Sequence, residues 1–271
     1  MNLYFAFFLS LLPFGTLVYD LQQQPLDRQF KLKWNAAYHE YALQDSTDLP
    51  IPKLKKTASY TSSKQVIRSK QKRLQVAYQA ASTLTEKNKI RKRAGIYITE
   101  ELINGLFPHW YGTTWSFDGY SAIPNQGEIG CSYFVSTTLL HVGFNLNRYR
   151  LAQQGPVSEA RSLVIEGSPI EIDLTGDFEG FVPEIQAHCE EGLYFIGLGH
   201  SHVGYLYYRE KECYFIQSSY GKSGQVEIDY ANDSDILTGF SNFVLVPITT
   251  NAVLVEAWLL GEEVLVVKGS E

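Results

Sequence analysis

The chain of 271 residues holds only three cysteines, Cys131, Cys189 and Cys213. Three cannot build the dense disulfide framework of a small secreted scaffold, and an odd number leaves at least one thiol free. Nothing in the spacing of Cys189 and Cys213 demands that they pair. Around its six histidines the sequence has no His-Glu-x-x-His run, no paired-cysteine motif and no carboxylate cluster at ligand spacing. Zinc at His200-Ser201-His202 is therefore not expected, nor is any other cofactor. Internal repeats and low-complexity tracts are also missing, which excludes repeat arrays. The one strongly basic region lacks aromatic interleaving, which argues against nucleic acid as a partner and for a solvated helix face.

What remains is a globular composition, 45% hydrophobic and 14% aromatic, long enough for one large or two small domains. Eighteen tyrosines and fifteen phenylalanines lean toward strands. Residues 3–19 carry no charge, so residues 1–20 read as a secretory signal or N-terminal anchor, and export is expected. The competing reading is a buried first helix, but so uniform a run has no polar face. Pro13 favours a signal over a permanent span.

Charge divides sharply. Residues 20–95 carry 16 Lys and Arg against 6 Asp and Glu, a net +10; residues 96–271 carry 7 against 23, a net −16. The expected organisation is a basic linker and helical arm over 21–94, a catalytic domain over 95–250 and a C-terminal β extension over 251–271. Residues 20–62 read as irregular chain, and 64–93, free of Gly and Pro, as one or two basic-faced helices. A short helix is expected over Ile96–Leu106 with Thr99 as its N-cap. Another is expected over 157–166, with a turn at Gly176–Gly180. Strands are expected at Leu193–Leu198, Val203–Tyr208 and Cys213–Ser218, joined by short polar turns into an antiparallel meander. Further strands are expected at Phe243–Pro247, Ala252–Leu259 and Glu263–Val267. The layout is α+β.

The chemistry centres on Cys131 in Gly-Glu-Ile-Gly-Cys-Ser-Tyr-Phe-Val. Phe134, Val135, Thr138, Leu139 and Val142 recur at helical spacing, predicting a helix over Ser132–Val142 with Gly143 as C-cap. A thiol at a helix N-terminus meets unpaired N–H groups and the positive dipole end, which favour a thiolate. The opposing reading is a small buried apolar residue. A nucleophilic thiol needs a base, and His202 opens the second strand of the meander. An imidazole base needs its other nitrogen held by an acceptor. Gln217 or Ser218 on the next strand lies near it, and Gln217 is chosen for its reach and its carbonyl oxygen.

Over residues 108–220 the chain resembles the NlpC-type papain-like cysteine peptidases, many of which cleave bacterial cell-wall peptides. Trp110-Tyr111-Gly112 through Phe117-Asp118-Gly119 stands for that family's aromatic segment, Cys131-Ser132 for its cysteine motif, His202-Val203-Gly204 for its His-Val-Gly strand and Phe215-Ile216-Gln217 for its third polar residue. The resemblance implies a papain-like fold, with the nucleophile helix packed on an antiparallel sheet. It implies Cys131 as nucleophile, His202 as base and Gln217 as orienting residue, with Tyr111, Ser132 and the Cys131 N–H around the substrate and oxyanion. Gly130 replaces the family's Asp, Tyr133 its Gly, and Gln217 the commoner His. The expected function is thiol-dependent hydrolysis of amide or peptide bonds in wall-derived peptides by an exported protein. The alternatives are a catalytically silent peptide- or glycan-binding protein and a related amidase or acyl transferase.

Overall fold

The computed structural model describes residues 59–174 and 177–269. The N-terminal signal or anchor, the linker before residue 59 and Gly176 of the expected turn lie outside the described residues. Among the described residues two long helices come first, α1 (Tyr60–Ala80) and α2 (Leu84–Glu100). Ser59 caps α1 by accepting the Ser62 N–H. Thr83 and Glu86 form a reciprocal capping box on α2. A π-helical turn over Glu101–Leu106 carries α2 directly into the short helix α3 (Phe107–Trp110).

An irregular loop leads to α4 (Cys131–Val142), then β1 (Asn145–Leu146), α5 (Arg148–Ala152), α6 (Pro156–Val164) and β2 (Ile170–Asp173). After α7 (Phe181–His188) the strands β3 (Gly192–Leu198), β4 (His202–Arg209), β5 (Glu212–Ser218), β6 (Val226–Tyr230) and β7 (Asn242–Pro247) follow. Last come α8 (Ala252–Leu260) and β8 (Glu263–Val264).

Six strands form an antiparallel sheet in the order β2-β7-β3-β4-β5-β6. Its centre is the expected β3–β4–β5 meander. These strands are buried almost throughout because both faces of the sheet are covered. On one face lies a cluster that includes Phe181, Ile185, Tyr194, Leu206, Phe215 and Phe243. On the other, α4 packs on β4 and β5, and α6 on β3 and β7. Tyr205 joins α4 to the sheet: its hydroxyl donates to the Val135 carbonyl at 3.0 Å and lies 2.8 Å from Thr138 Oγ1. The fold is mixed helix and antiparallel sheet, an α+β arrangement.

Several expectations are corrected. Residues 252–259 are helical, not a strand. A continuous apolar run fits a buried helix as well as a buried strand. Here Asn251 accepts the Val253 and Leu254 N–H groups at one end, and Gly261 at φ 72° closes the other. The expected strand over Glu263–Val267 is only β8, paired parallel with β1 in a separate two-stranded sheet. The 251–271 segment is thus a helix with a two-residue strand. Thr99 is not an N-cap. It lies inside α2, where its hydroxyl bonds back to the Gly95 carbonyl at 3.1 Å. The helix expected over 157–166 is Pro156–Val164, and Phe178–Gly180 is a short 3-10 turn.

The division at 94/95 falls inside α2, between the buried residues Ala94 and Gly95. A side chain at Gly95 would run into the Thr249 carbonyl, so α2 lies directly against the chain entering α8. Gln71 of α1 donates to the Gly143 carbonyl (3.0 Å) and the Trp258 carbonyl (2.7 Å). Trp258 Nε1 in turn donates to the Val142 carbonyl at 2.9 Å. The basic helices and the C-terminal helix thus grip the end of α4, and the described residues fall in one compact unit.

Candidate active site

Cys131 is the first residue of α4. Its N-cap, Gly130, has extended backbone, and the first-turn N–H groups have no carbonyl within the helix to bond. Gly130 stands where the resemblance expects Asp for a packing reason. A Cβ there would lie 3.2 Å from both the Ser116 and Phe117 carbonyl oxygens. The Gly130 N–H bonds the Gly119 carbonyl at 2.8 Å, so the aromatic loop folds onto the residue before the thiol. Ser218 Oγ donates to the Ile129 carbonyl at 2.7 Å and ties the same loop to β5. At the helix's far end Gly143, at φ 109°, provides the left-handed turn that the sequence predicted.

His202 opens β4 and is buried. Its Nε2 lies 2.7 Å from Gln217 Oε1. The Gln217 amide is oriented by its Nε2, which donates to Glu227 Oε1 across to β6 at 3.3 Å. Oε1 can only accept, so His202 Nε2 carries the hydrogen and the neutral ring presents its Nδ1 lone pair. That Nδ1 is buried and has no hydrogen-bond partner. Of the two residues the sequence offered, Gln217 holds the histidine and Ser218 holds the cysteine loop. Gly204 makes the pairing possible: a Cβ there would lie 2.7 Å from the Phe215 ring and 2.8 Å from the Ile216 carbonyl. The Phe215 ring sits edge-on to His202 with centroids 6.2 Å apart.

The sulfur faces the backbone N–H of Val203, the residue after His202, which places the thiol against the start of β4. No hydrogen bond joins Cys131 to His202. The sulfur's bonding partner is Ser132 Oγ at 4.0 Å. Burial pushes the thiol up, and the Val203 N–H and the Ser132 groups oppose that rise. Burial also lowers His202 to about 4, against the Gln217 bond that favours its charged form. Both shifts favour neutral thiol and neutral imidazole, against the pull toward thiolate of the helix start.

Ser132, expected near the oxyanion, lies beside the sulfur. Tyr111 is buried at the end of α3. The tyrosine against the histidine is Tyr220, with its ring centroid 5.1 Å away and Trp115 6.0 Å beyond. Tyr133 packs between Tyr120 (6.3 Å) and Tyr149 (6.0 Å). Arg148 is buried beneath these rings and donates to the Tyr120 and Ser121 carbonyls.

Three residues near the site gave no usable signal. Glu227 looked like an ordinary charge on an unpredicted edge strand, and only its register opposite Gln217 identifies it. Tyr220 reads only as the tail of the strand that carries Gln217, with nothing in the sequence to set it against His202. Glu159 looked like the polar face of a helix, yet it is wholly buried within reach of Cys131. No family model, curated protein or solved structure matches the chain.

Proposed function

We propose that the protein is an exported thiol-dependent hydrolase with a papain-like arrangement, cleaving amide or peptide bonds, with cell-wall-derived peptides as its substrate class. The observation that carries this reading is the His202–Gln217 bond. It fixes one ring tautomer and leaves a buried, unpartnered Nδ1 beside the residue whose N–H faces the Cys131 sulfur.

The chemistry follows from that geometry. As substrate enters, Nδ1 accepts the thiol proton and the sulfur attacks the carbonyl carbon. The negative charge that develops on the carbonyl oxygen meets the N–H groups of the first turn of α4. The tetrahedral species collapses to a thioester as His202 returns the proton to the departing amine. Water then attacks the thioester, His202 takes its proton, and the released thiolate recovers a proton to restore the thiol. Gln217, itself braced by Glu227, keeps the ring from rotating and stabilises the imidazolium between steps. The net −16 of residues 96–271 suits substrates with free amines.

The test is incubation of the wild type and Cys131→Ala with purified peptidoglycan stem peptides, with new termini read by mass spectrometry. New termini with the wild type only are expected. Equal cleavage by both would remove the reading. The raised, neutral thiol favours a second reading, a silent protein that holds such peptides. Equal peptide affinity for both proteins, with cleavage by neither, would establish it.

A further inference from the structure

Glu159 lies in α6, a helix buried along most of its length. Gly197 lets α6 approach β3 closely, since a Cβ there would fall 2.7 Å from Pro156 Cβ and 2.8 Å from Val244 Cγ1. That approach carries Glu159 under the start of α4. Its side chain has no exposed surface, and neither carboxyl oxygen has a hydrogen-bond partner. The Ser132 hydroxyl faces the carboxyl from beyond bonding distance, and Ser132 Oγ is in turn 4.0 Å from the Cys131 sulfur.

An unpaired carboxyl with no exposed surface favours the neutral acid, because a buried charge without a partner is heavily penalised. Burial accordingly raises Glu159 to about 8. Few groups can feel its charge. Of the strands against α6, β7 has no titratable side chain, and the Tyr194 hydroxyl of β3 is bonded to the Glu190 carbonyl. On α5, Arg148 is committed to backbone and hydroxyl oxygens of the loop and of α4, and Arg150 is exposed. Cys131 and Tyr205 remain, and the Glu159 charge raises both.

We propose that Glu159 is a positioning residue coupled by its charge to the nucleophile: as a neutral acid it leaves the Cys131 thiol free to ionise, and as a carboxylate it suppresses the thiolate. The proposal rests on Cys131 being the nucleophile. It predicts an alkaline brake on the site. Raising pH promotes loss of the thiol proton, but ionisation of Glu159 places a negative charge alongside and opposes it.

The test is alkylation of the full chain by iodoacetamide across pH 5.5–10, with the rate at each cysteine read by mass spectrometry. Wild type and Glu159→Gln should agree within about twofold near pH 6. Near pH 9 Glu159→Gln should react about three- to tenfold faster at Cys131, since one unit of thiol pKa is tenfold in thiolate. A purely structural role would alter the rate by the same factor at every pH, so a constant ratio overturns the proposal. If Glu159→Gln does not fold, Glu159→Met carries the same comparison, and a ratio to wild type that stays constant across pH overturns the proposal. If folded wild type shows no labelling of Cys131 at any pH, the nucleophile reading fails, and this proposal with it. Normal labelling with a flat ratio removes only the role of Glu159.

Discussion

Replacing Glu159 by glutamine should stabilise the protein, by an amount that depends on pH. A glutamate titrates at 4.5 in the unfolded chain and is raised to about 8 in the folded one. Between those values the folded state holds a proton that the unfolded state has shed, so raising pH draws the equilibrium toward unfolding. At pH 7 the gap is 2.5 units, or about 3 kcal/mol at 1.36 kcal/mol per unit. Above pH 8 it levels at 3.5 units, about 5 kcal/mol. Glutamine keeps the shape and the neutrality of the protonated acid and carries no such cost. Glu159→Gln should therefore match the wild type near pH 4.5, exceed its stability by about 3 kcal/mol at pH 7, and gain no more above pH 8. Urea titrations followed by circular dichroism at pH 4.5, 7 and 9 measure this. A stability difference independent of pH, or a glutamine variant less stable at pH 7, would show that Glu159 is ionised in the folded protein and refute the reasoning.

Gln217→Ala should lower kcat at least about tenfold with little change in KM, because it frees the His202 ring without touching substrate. The same replacement should cost about 1–3 kcal/mol in urea titrations, from the buried His202 Nε2–H left without an acceptor. Gly204→Ala forces the Phe215 ring or the Ile216 carbonyl aside, and should destabilise by about 1–3 kcal/mol while reducing hydrolysis, read by thermal unfolding and steady-state rates. Tyr60→Phe removes the acceptor of Trp110 Nε1–H and the partner of His141 Nδ1, both at 2.8 Å. A loss of about 2–4 kcal/mol would confirm that α1 is integral to the fold, and a change below about 0.5 kcal/mol would show it to be an appendage.

Much of the sheet could be read from the chain because its determinants are local. The β3–β5 meander has strongly apolar, β-prone strands and short polar turns, and α4 has helical spacing between two glycines. Strand order narrowed the partner of His202 to Gln217 or Ser218, and the longer side chain with its carbonyl oxygen selected Gln217. What stayed hidden depends on contacts distant in sequence. β6, Val-Glu-Ile-Asp-Tyr, looks too charged for a strand until the register sets Glu227 beside Gln217. α8 lacks a polar face because it is enclosed by α1, α2 and the end of α4. The basic stretch looked like an appendage because its cations face water while Ile67, Leu74 and Tyr78 turn inward. Glu159 misled for a related reason: a charged side chain is ordinarily solvated, and only the close approach allowed by Gly197 buries it.

The clasp at the end of α4 has a consequence for biosynthesis. Gln71 and Trp258 meet over Gly143 although 187 residues separate them along the chain. During translation α4 emerges long before the residue that closes it. Until Trp258 has left the ribosome, the last turn of that helix lacks the indole that bonds Val142 and the second anchor for Gln71. A nascent chain already carrying Cys131 and His202 therefore has an unfinished anchor at the far end of the helix that Cys131 begins. The last turn of α4 is therefore fully anchored only near the end of synthesis, a long-range closure of the kind that slows folding.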